Sequence, residues 1–292
     1  ARQIKRKQQR AVRVNVPVIS VGNLAVGGTG KSPFVRLLVG WLQEAGHQPA
    51  IAMRGYGAAN PNEADEVREH RLACPDVPVL AGPDRALEIQ KAQREGVPFD
   101  CVVLDDGFQH TQLARDLDVV LIDGTRPPVQ TTPLPAGWLR EPAIGLQRAD
   151  VWVISGCMGQ DDQVATAQLA GQPALAELRA VWQGVHTPQG EEVSVQGKRC
   201  VVMAGIARPE RVREALVESG GIVAAMPRLA DHDPISSGQL DQFRALSSEA
   251  DALVLTAKDA ARLGDGLQGW PVPVWIPRMA LEVSSGEAAL RQ

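Results

Sequence analysis

Short apolar runs alternate with amphipathic stretches along most of the chain. Apolar runs bounded by turn-forming residues are typical of buried strands, and the stretches between them have helical spacing. Strands and helices in alternation predict an α/β fold with a mostly parallel sheet. In the first part of the chain the predicted strands are residues 16–21, 49–53, 77–80, 99–106, 117–123 and 151–155, and the predicted helices are residues 34–46, 83–96 and 161–170.

The alternation weakens between Ala180 and Gly197, where valines and polar residues alternate around Gly190. This stretch predicts a β-hairpin that links two parts of the chain. We therefore expect a larger domain at residues 1–180, a β linker at 181–197, and a smaller α/β domain at 198–292 whose end can pack back on the first domain. The predicted strands of the smaller domain are residues 200–204, 222–225, 253–256 and 272–276, with helices at 209–219, 236–248 and 257–263.

A glycine-rich segment, residues 22–32, joins the first predicted strand to the first helix. It is close to the phosphate-loop pattern, with Ala25 where that pattern has its first glycine. Glycines let backbone N–H groups converge on one concavity, and the positive end of the helix dipole favours an anion there, so a polyphosphate such as ATP is the natural ligand. The alternative is a turn that only connects strand to helix. The residues expected to bind ATP are Gly27, Gly28, Thr29, Gly30, Lys31 and Ser32.

Two of these side chains have a more specific expected role. Lys31 would reach the outer phosphates, and the Ser32 hydroxyl would bind Mg²⁺. The predicted strand that begins at Phe99 ends in Asp105 and Asp106, and phosphate-loop enzymes use acids at such a position to hold Mg²⁺ or its water ligands. Both are therefore candidate metal residues, unless they only cap a loop, and which one binds the metal directly is left open.

His110 follows Asp106 by four residues, so one helical turn would bring both side chains over the phosphates. The segment Arg54-Gly55-Tyr56-Gly57 places two glycines around the only tyrosine of the chain, which is typical of a loop that approaches a ligand or of an ordinary turn. A proline-rich stretch, residues 133–142, is longer and stiffer than a simple connector requires. The acidic stretch at residues 62–66, taken by itself, indicates a helix cap or a solvated surface.

Charge is distributed unevenly along the chain. The net charge is −4, yet the first thirteen residues hold six basic residues and no acid. Such a segment can bind anionic lipid headgroups or nucleic acid, or can be a solvated end. The overall acidity, and the lack of interleaved basic and aromatic residues, argue against a nucleic-acid partner. The six basic residues are Arg2, Lys5, Arg6, Lys7, Arg10 and Arg13.

Two further features narrow the class of protein. No apolar stretch of the sequence is long enough to span a bilayer. The four cysteines are far apart in sequence, so they suggest neither a zinc site nor a disulfide framework, and a reducing compartment is expected.

Taken together, these segments resemble one family, the tetraacyldisaccharide 4′-kinases, which act on a lipid A precursor in Gram-negative bacteria. The Asp-Asp-Gly-Phe-Gln-His and Leu-Arg-Glu-Pro segments are far more specific than the phosphate loop alone. The matching segments follow one order through most of the chain, at residues 21–33, 54–57, 104–110, 134–142, 204–209, 231–232 and 256–260.

This resemblance implies a kinase with a P-loop NTPase-like domain, a β linker and a smaller α/β domain, with ATP and Mg²⁺ in the cleft between the domains. The reaction would transfer the γ-phosphate of ATP to the 4′-hydroxyl of tetraacyldisaccharide 1-phosphate, which gives lipid IVA. The enzyme would be peripheral to the cytoplasmic face of the inner membrane, with its basic segment on the anionic surface. We also expect a monomer.

The resemblance also assigns residues. The family's base, an Asp soon after the Arg-Gly-Tyr loop that acts together with a His of the second domain, corresponds by motif to Asp65 and His232. The family usually has Gly-Asp-Glu where this chain has Ala64-Asp65-Glu66. A sugar hydroxyl is a poor nucleophile at neutral pH, so an imidazole that accepts its proton and a carboxylate that orients the imidazole suit the reaction. With Lys31 these complete the expected catalytic set, and the residues expected to contact the acceptor or support such contacts are Arg54, His110, Arg140 and Glu141.

The alternative function is a nucleotide-dependent switch or a metal-insertion GTPase. Against it, the chain has no Asn-Lys-x-Asp segment to read guanine. Asp105-Asp106-Gly107 also lacks the Asp-x-x-Gly spacing of a switch segment. Both observations favour the kinase.

Overall fold

The computed structural model describes residues 11–56, 59–206, 209–229, 235–267 and 269–292. The described chain divides into two units. One contains the chain up to Ala180 together with Leu281–Gln292, and the other contains Val181–Ala280. The chain passes from one unit to the other within two long strands, β7 (Ala176–His186) and β12 (Val274–Ser285).

The first unit is built on a parallel sheet. Its strands are β1 (Val18–Asn23), β2 (Pro49–Met53), β3 (Val79–Ala81), β4 (Cys101–Asp105), β5 (Leu117–Asp123), β6 (Val151–Ser155) and the beginning of β7. They lie in the order β7-β6-β5-β1-β4-β2-β3, and each neighbouring pair is parallel. Strands β2 and β4 are buried at every position, which explains why they read as continuous apolar runs. The predicted α/β fold is confirmed.

Helices cover both faces of this sheet. They are α1 (Lys31–Glu44), α2 (Asp65–Ala73), α3 (Arg85–Arg94), α4 (Gln160–Ala170) and, near the end of the chain, α8 (Glu287–Leu290), with short 3-10 helices at Pro61–Glu63, Pro128–Gln130 and Ala143–Arg148. On one face, Phe34, Val35 and Val39 of α1 pack into a cluster with Val21 and Val103 of the sheet. On the other face, Phe108, Leu139 and Trp152 belong to a second cluster. Helix α2 was not predicted, because its sequence is polar at most positions.

The second unit is a smaller parallel sheet with its own helices. Its strands lie in the order β10 (Ile222–Ala225), β9 (Arg199–Met203), β11 (Ala252–Leu255) and β12, all parallel. The helices are α5 (Glu210–Glu218), α6 (Ser237–Ser247) and α7 (Ala257–Leu263), with a 3-10 helix at Gly264–Leu267. The end of β7 pairs antiparallel with β8 (Glu192–Val193) to form the hairpin that the sequence predicts around Gly190.

Strands β1 and β4 are neighbours, and this pairing determines where chemistry can occur. Val21 of β1 is in register with Asp105 of β4. Because both strands are parallel, the segments that follow them leave the sheet at the same edge, where open α/β sheets bind ligands. The two segments also touch. Gly107 N–H donates to the Val21 carbonyl at 2.9 Å, and a Cβ at Gly22 would lie only 2.5 Å from the Cβ of Phe108, so glycine is required there.

Candidate active site

The glycine-rich segment forms a concave turn between β1 and α1. Gly27 and Gly30 have φ angles of 103° and 84°, values that favour glycine. A Cβ at Gly27 or Gly28 would meet no atom within 4 Å, so the turn borders open space. Within the described residues, the amide N–H groups of residues 27–32 donate to no hydrogen-bond acceptor. Unpaired N–H groups at the start of a fourteen-residue helix form an anion site, and all six predicted ATP-binding residues lie in it.

The turn is braced by side chains from the strand that precedes it. Asn23 Nδ2 donates to Thr29 Oγ1 at 3.0 Å, and both residues are buried. Gln109 Nε2 in turn donates to the Asn23 carbonyl at 2.8 Å and to Glu141 Oε1 at 3.0 Å. Glu141 is held by a bidentate pair with Arg148 at 2.8 and 2.9 Å. A continuous chain of hydrogen bonds therefore joins the phosphate loop to the two most specific sequence segments.

Asp105 lies at the end of β4 and is buried, with 3% of its surface exposed. Its Oδ2 atom is 2.8 Å from Nε2 of His70, a fully buried residue of α2. Burial by itself would raise the pKa of Asp105, but the hydrogen bond and charge of His70, the Ser32 hydroxyl and the Lys31 ammonium outweigh it and lower the pKa. Asp105 is therefore an ionised carboxylate within reach of the predicted metal-binding hydroxyl of Ser32.

Asp106 has a different environment. It is a non-glycine residue in the left-handed region, with φ 56°, a conformation that aspartate adopts more readily than most residues. Its carboxylate is 41% exposed, lies 3.4 Å from Lys31 Nζ, and accepts from Arg140 Nη1 at 2.7 and 2.8 Å. Residues 106–110 form turns and no helix, so the expected helical turn between Asp106 and His110 is wrong. The left-handed backbone at Asp106 instead turns the chain at once, and His110 N–H bonds to the Gly107 carbonyl at 2.8 Å.

Helix α2 contributes a third carboxylate, Glu66, which sequence reasoning missed. Although Glu66 keeps solvent exposure, partial removal from water raises its pKa, and the charges of Asp105, Asp106 and Glu69 raise it further, while Lys31 lowers it. Glu66 is therefore within electrostatic range of Asp105, the last residue of β4, and of Asp106, which follows it. Its neighbour Asp65 is the first residue of α2 and is half-buried. The only signal in the sequence was that Glu66 is adjacent to Asp65. Because no helix was predicted there, the sequence did not show where the Glu66 side chain would lie.

A cationic group lies beside these acids. Arg85, the first residue of α3, is only 6% exposed, and within the described residues its guanidinium forms no ion pair or hydrogen bond. Burial lowers the pKa of Arg85, and the nearby charge of Arg54 lowers it further, whereas Asp106 and Asp105 raise it. His110 is close to the same charges. Burial, and then Arg85, Arg115 and Arg54, lower its pKa to about 4, against an opposite effect of Asp84. His110 is therefore neutral at pH 7.

Some predicted residues fall outside this description. His232 belongs to the segment 230–234, which is not among the described residues. The first ten residues, which hold most of the basic segment, are not described either. Arg13 is described, and it forms an exposed ion pair with Asp116 at 3.1 Å. In the part of the chain that is described, no three His, Cys, Asp or Glu side chains come close enough to hold a metal by themselves. No helix of that part has both the length and the apolar character of a membrane span.

Comparison with known proteins decides the family. The model of the tetraacyldisaccharide-1-P 4′-kinase family matches residues 1–292. The chain belongs to this family. A protein of Geobacter metallireducens named tetraacyldisaccharide 4′-kinase is 36% identical over 280 residues, which cover 87% of this chain and 81% of the relative. One of the same name from Gluconobacter oxydans is 35% identical over 271 residues, with 89% and 80% covered. The resemblance drawn from the motifs is confirmed.

A solved structure gives the same result for the fold. The "apo" form of LpxK from Aquifex aeolicus, crystallised in complex with ATP, superposes with a TM-score of 0.77 and 25% sequence identity. The match covers 99% of this chain and 91% of that one. The P-loop NTPase-like fold predicted from the sequence is therefore confirmed.

Proposed function

We propose that this kinase transfers the γ-phosphate of ATP to the 4′-hydroxyl of tetraacyldisaccharide 1-phosphate, with lipid IVA and ADP as products and release of the hydroxyl proton. Family membership supports the reaction. The observation that carries it at the site is the turn at the start of α1, whose N–H groups have no acceptor among the described residues and which lies next to Lys31, Asp105 and Asp106. The reaction belongs to lipid A biosynthesis.

The phosphate loop fits ATP. The six N–H groups of residues 27–32 have no acceptor in the described part of the chain, so each can donate to a phosphate oxygen. The open space beside Gly27 and Gly28 leaves room for the phosphates. Lys31 lies mostly buried at the base of this turn, with 12% of its side chain exposed. Its ammonium would therefore bind the outer phosphates as a point charge with little competition from water.

The donor set beside the loop fits Mg²⁺. Ser32, Asp105, Asp106 and Glu66 offer hydroxyl and carboxylate oxygens, the ligands that Mg²⁺ prefers. Mg²⁺ usually takes one or two protein carboxylates and completes its shell with phosphate and water oxygens, so not every one of these acids needs to contact the ion. When bound, the ion would neutralise charge that develops on the transferred phosphoryl group. Asp105 is ionised and ready to contribute an oxygen.

We assign the base to Asp65 and His232, on the strength of the family resemblance. The position of Asp65 at the start of α2, one residue before Glu66, supports the first half of this assignment. In this scheme the His232 imidazole accepts the proton of the acceptor hydroxyl, and the Asp65 carboxylate orients the ring and stabilises its charged form. His232 must be neutral before the step, so activity is lost as the pH falls and the imidazole is protonated.

Arg85 and Arg54 suit the phosphate that the acceptor already carries. A buried guanidinium without an ion pair costs free energy, and Arg85 is such a group in the part of the chain described. A doubly charged phosphate on the lipid would satisfy it, together with the exposed Arg54 and neutral His110 as a hydrogen-bond partner. Arg140 would then hold Asp106, and Glu141 would brace the loop that carries Arg140.

The remaining assignments concern the domains of the chain, its oligomeric state and its location at the membrane. We propose that residues 1–180 act as the kinase domain, 181–197 as the linker and 198–292 as the smaller domain, except that the chain end, Leu281–Gln292, groups with the first unit. The acceptor is a lipid, so a monomer held peripherally at the cytoplasmic face of the inner membrane, with the basic segment from Arg2 to Arg13 on anionic headgroups, accounts for access to it.

The deciding experiment follows labelled γ-phosphate from ATP to tetraacyldisaccharide 1-phosphate in detergent. We expect a labelled lipid that is absent when the acceptor already carries a 4′-phosphate and absent when Mg²⁺ is chelated. The GTPase alternative predicts hydrolysis of GTP that is independent of lipid. Nucleotide hydrolysis without any labelled lipid would therefore rule out the proposed kinase reaction.

A further inference from the structure

His70 is a polar residue in a position that packing does not explain. It lies in the second half of α2, fully buried, on the same face as the fully buried Val67. An imidazole removed from water costs free energy unless its nitrogens find partners. Its Nε2 atom has one, Asp105 Oδ2 at 2.8 Å, whereas its Nδ1 atom has none within the described residues. An apolar side chain would fill this space without leaving a nitrogen unpaired.

The chemistry of the partner decides the direction of the bond. The 2.8 Å separation of His70 Nε2 and Asp105 Oδ2 is that of a hydrogen bond, in which an imidazole N–H donates and a carboxylate oxygen accepts. The contact is therefore assigned as Nε2–H of His70 donating to Oδ2. This leaves the other oxygen, Oδ1, free of the imidazole. The bond thus selects the orientation of a carboxylate that lies beside Ser32 and Lys31.

The same bond joins two segments that are distant in sequence. Asp105 ends β4, while His70 stands one helical turn after Glu66, on the same side of α2. Helix α2 begins with Asp65 and Glu66, and the residue before them, Ala64, provides no side-chain cap. The 2.8 Å bond from His70 to Asp105 is a buried polar contact that ties this helix to the end of β4.

We propose that His70 is a positioning residue of the kinase: its Nε2–H fixes the Asp105 carboxylate and the first turn of α2, so that the oxygens of both segments converge on one Mg²⁺–nucleotide. This inference rests on the proposed function, because it concerns the same metal and nucleotide. Hydrogen bonds to ligating side chains commonly change metal affinity by about 10–100-fold when removed.

The test compares four substitutions in the full chain. His70→Met keeps the volume and removes the donor, whereas His70→Gln keeps an N–H donor. Val67→Ala removes packing from the same buried face of α2 without touching the bond, and His47→Ala removes an exposed histidine whose partner is Asp100, 3.3 Å away. The primary readout is the affinity for Mn²⁺ in the presence of a non-hydrolysable ATP analogue, followed by electron paramagnetic resonance.

We expect His70→Met to weaken Mn²⁺ binding by about 10-fold or more and His70→Gln to recover most of that loss. Val67→Ala should lower the melting temperature yet keep Mn²⁺ affinity within about twofold, and His47→Ala should change neither. In turnover, His70→Met should shift the Mg²⁺ requirement far more than KM for the lipid. Equal losses in His70→Met and Val67→Ala, or no recovery in His70→Gln, would overturn the inference.

Two further outcomes are distinguishable. If wild-type protein binds no Mn²⁺–nucleotide and labels no lipid, the proposed function itself fails. If His70→Met does not fold, the ¹H–¹⁵N signal of the His70 ring in wild-type protein replaces it as the test. The signal should show that the ring is protonated at Nε2, and its chemical shift should change when the Mg²⁺–nucleotide analogue is added. A chemical shift that does not change would overturn the inference.

Discussion

Arg140 Nη1 lies 2.7 and 2.8 Å from the two carboxylate oxygens of Asp106, so one guanidinium nitrogen bridges both. Lys31 Nζ stands 3.4 Å from one of the same oxygens. Two cations from different segments therefore meet at a carboxylate whose backbone is left-handed. The two ion pairs of Asp106 therefore connect the phosphate loop, the segment after β4 and the proline-rich loop.

The first prediction separates Asp105, the last residue of β4, from Asp106, which follows the strand. Asp105→Asn and Asp106→Asn should both raise the Mg²⁺ concentration needed for half-maximal turnover. Only Asp105→Asn should lower the free energy of unfolding appreciably, by about 1–3 kcal/mol, because it is buried and bonded to His70. Asp106 is 41% exposed, so its ion pairs contribute about 1 kcal/mol or less. Urea unfolding and Mg²⁺ titrations measure these effects; unchanged Mg²⁺ dependence in both variants would exclude the pair from metal binding.

The second prediction concerns Lys31. Lys31→Ala should decrease kcat by about a hundredfold or more, since a charge directed at the transferring phosphate is lost in a site shielded from water. The melting temperature should change little. Lys91→Ala, at an exposed position in the last turn of α3, is the matched control and should retain activity. Wild-type turnover in Lys31→Ala would remove this residue from the catalytic set.

The third prediction tests whether Asp65 and His232 act as a unit. Asp65→Ala, His232→Ala and the double variant should lose kcat to similar degrees, because residues that act together are non-additive. The affinity for ATP should stay close to that of the wild type, and wild-type activity should fall on the acid side as the imidazole is protonated. His47→Ala is the control. If the two losses multiply, or if His232→Ala is fully active, the base lies elsewhere, with Asp106 as the next candidate.

The fourth prediction follows from His110. Burial and the charges of Arg85, Arg115 and Arg54 lower its pKa from 6.5 to about 4. The unfolded chain therefore binds this proton more tightly than the folded one, so the stabilisation is complete above pH 6.5 and is lost as the pH falls towards 4. After a discount for partial solvent screening, the loss amounts to about 1–2 kcal/mol.

The measurement is urea unfolding at several pH values between 7 and about 4.5, for wild-type protein and His110→Asn. The variant cannot titrate at this position, so its free energy of unfolding should fall less steeply with decreasing pH. Parallel curves for wild type and His110→Asn would contradict the lowered pKa.

The fifth prediction concerns the basic segment. Neutralising Arg2, Lys5, Arg6, Lys7, Arg10 and Arg13 should weaken sedimentation with anionic vesicles, because each charge near such a surface contributes about 1 kcal/mol. The effect should fade with added salt and be absent with neutral vesicles. Neutralising Arg13 alone should matter least, since it is already paired with Asp116. Equal sedimentation of the wild type and the six-fold variant would exclude this role.

The sequence by itself determined most of the fold. Buried parallel strands must be apolar at nearly every position, so β1, β2, β4, β5 and β6 were visible as runs, and the turns between them carried glycine and proline. The phosphate loop could also be recognised from the sequence, because Gly27 and Gly30 adopt positive φ angles that few other residues accept, and the turn therefore requires glycines. The motif segments carried the family, which the comparisons confirmed.

The tertiary structure alone decided which of the remaining polar residues face the loop. Helix α2 escaped prediction because it is polar, and only two of its nine residues, Val67 and His70, are buried. Without that helix, nothing in the sequence relates Glu66 or His70 to Asp105, which lies more than thirty residues away. Arg85 likewise resembles an ordinary arginine at a helix start until the structure shows that it is buried with no counter-ion among the described residues. The reason is physical: local sequence encodes periodicity and turns, whereas desolvation and charge pairing depend on which distant segments the fold brings together.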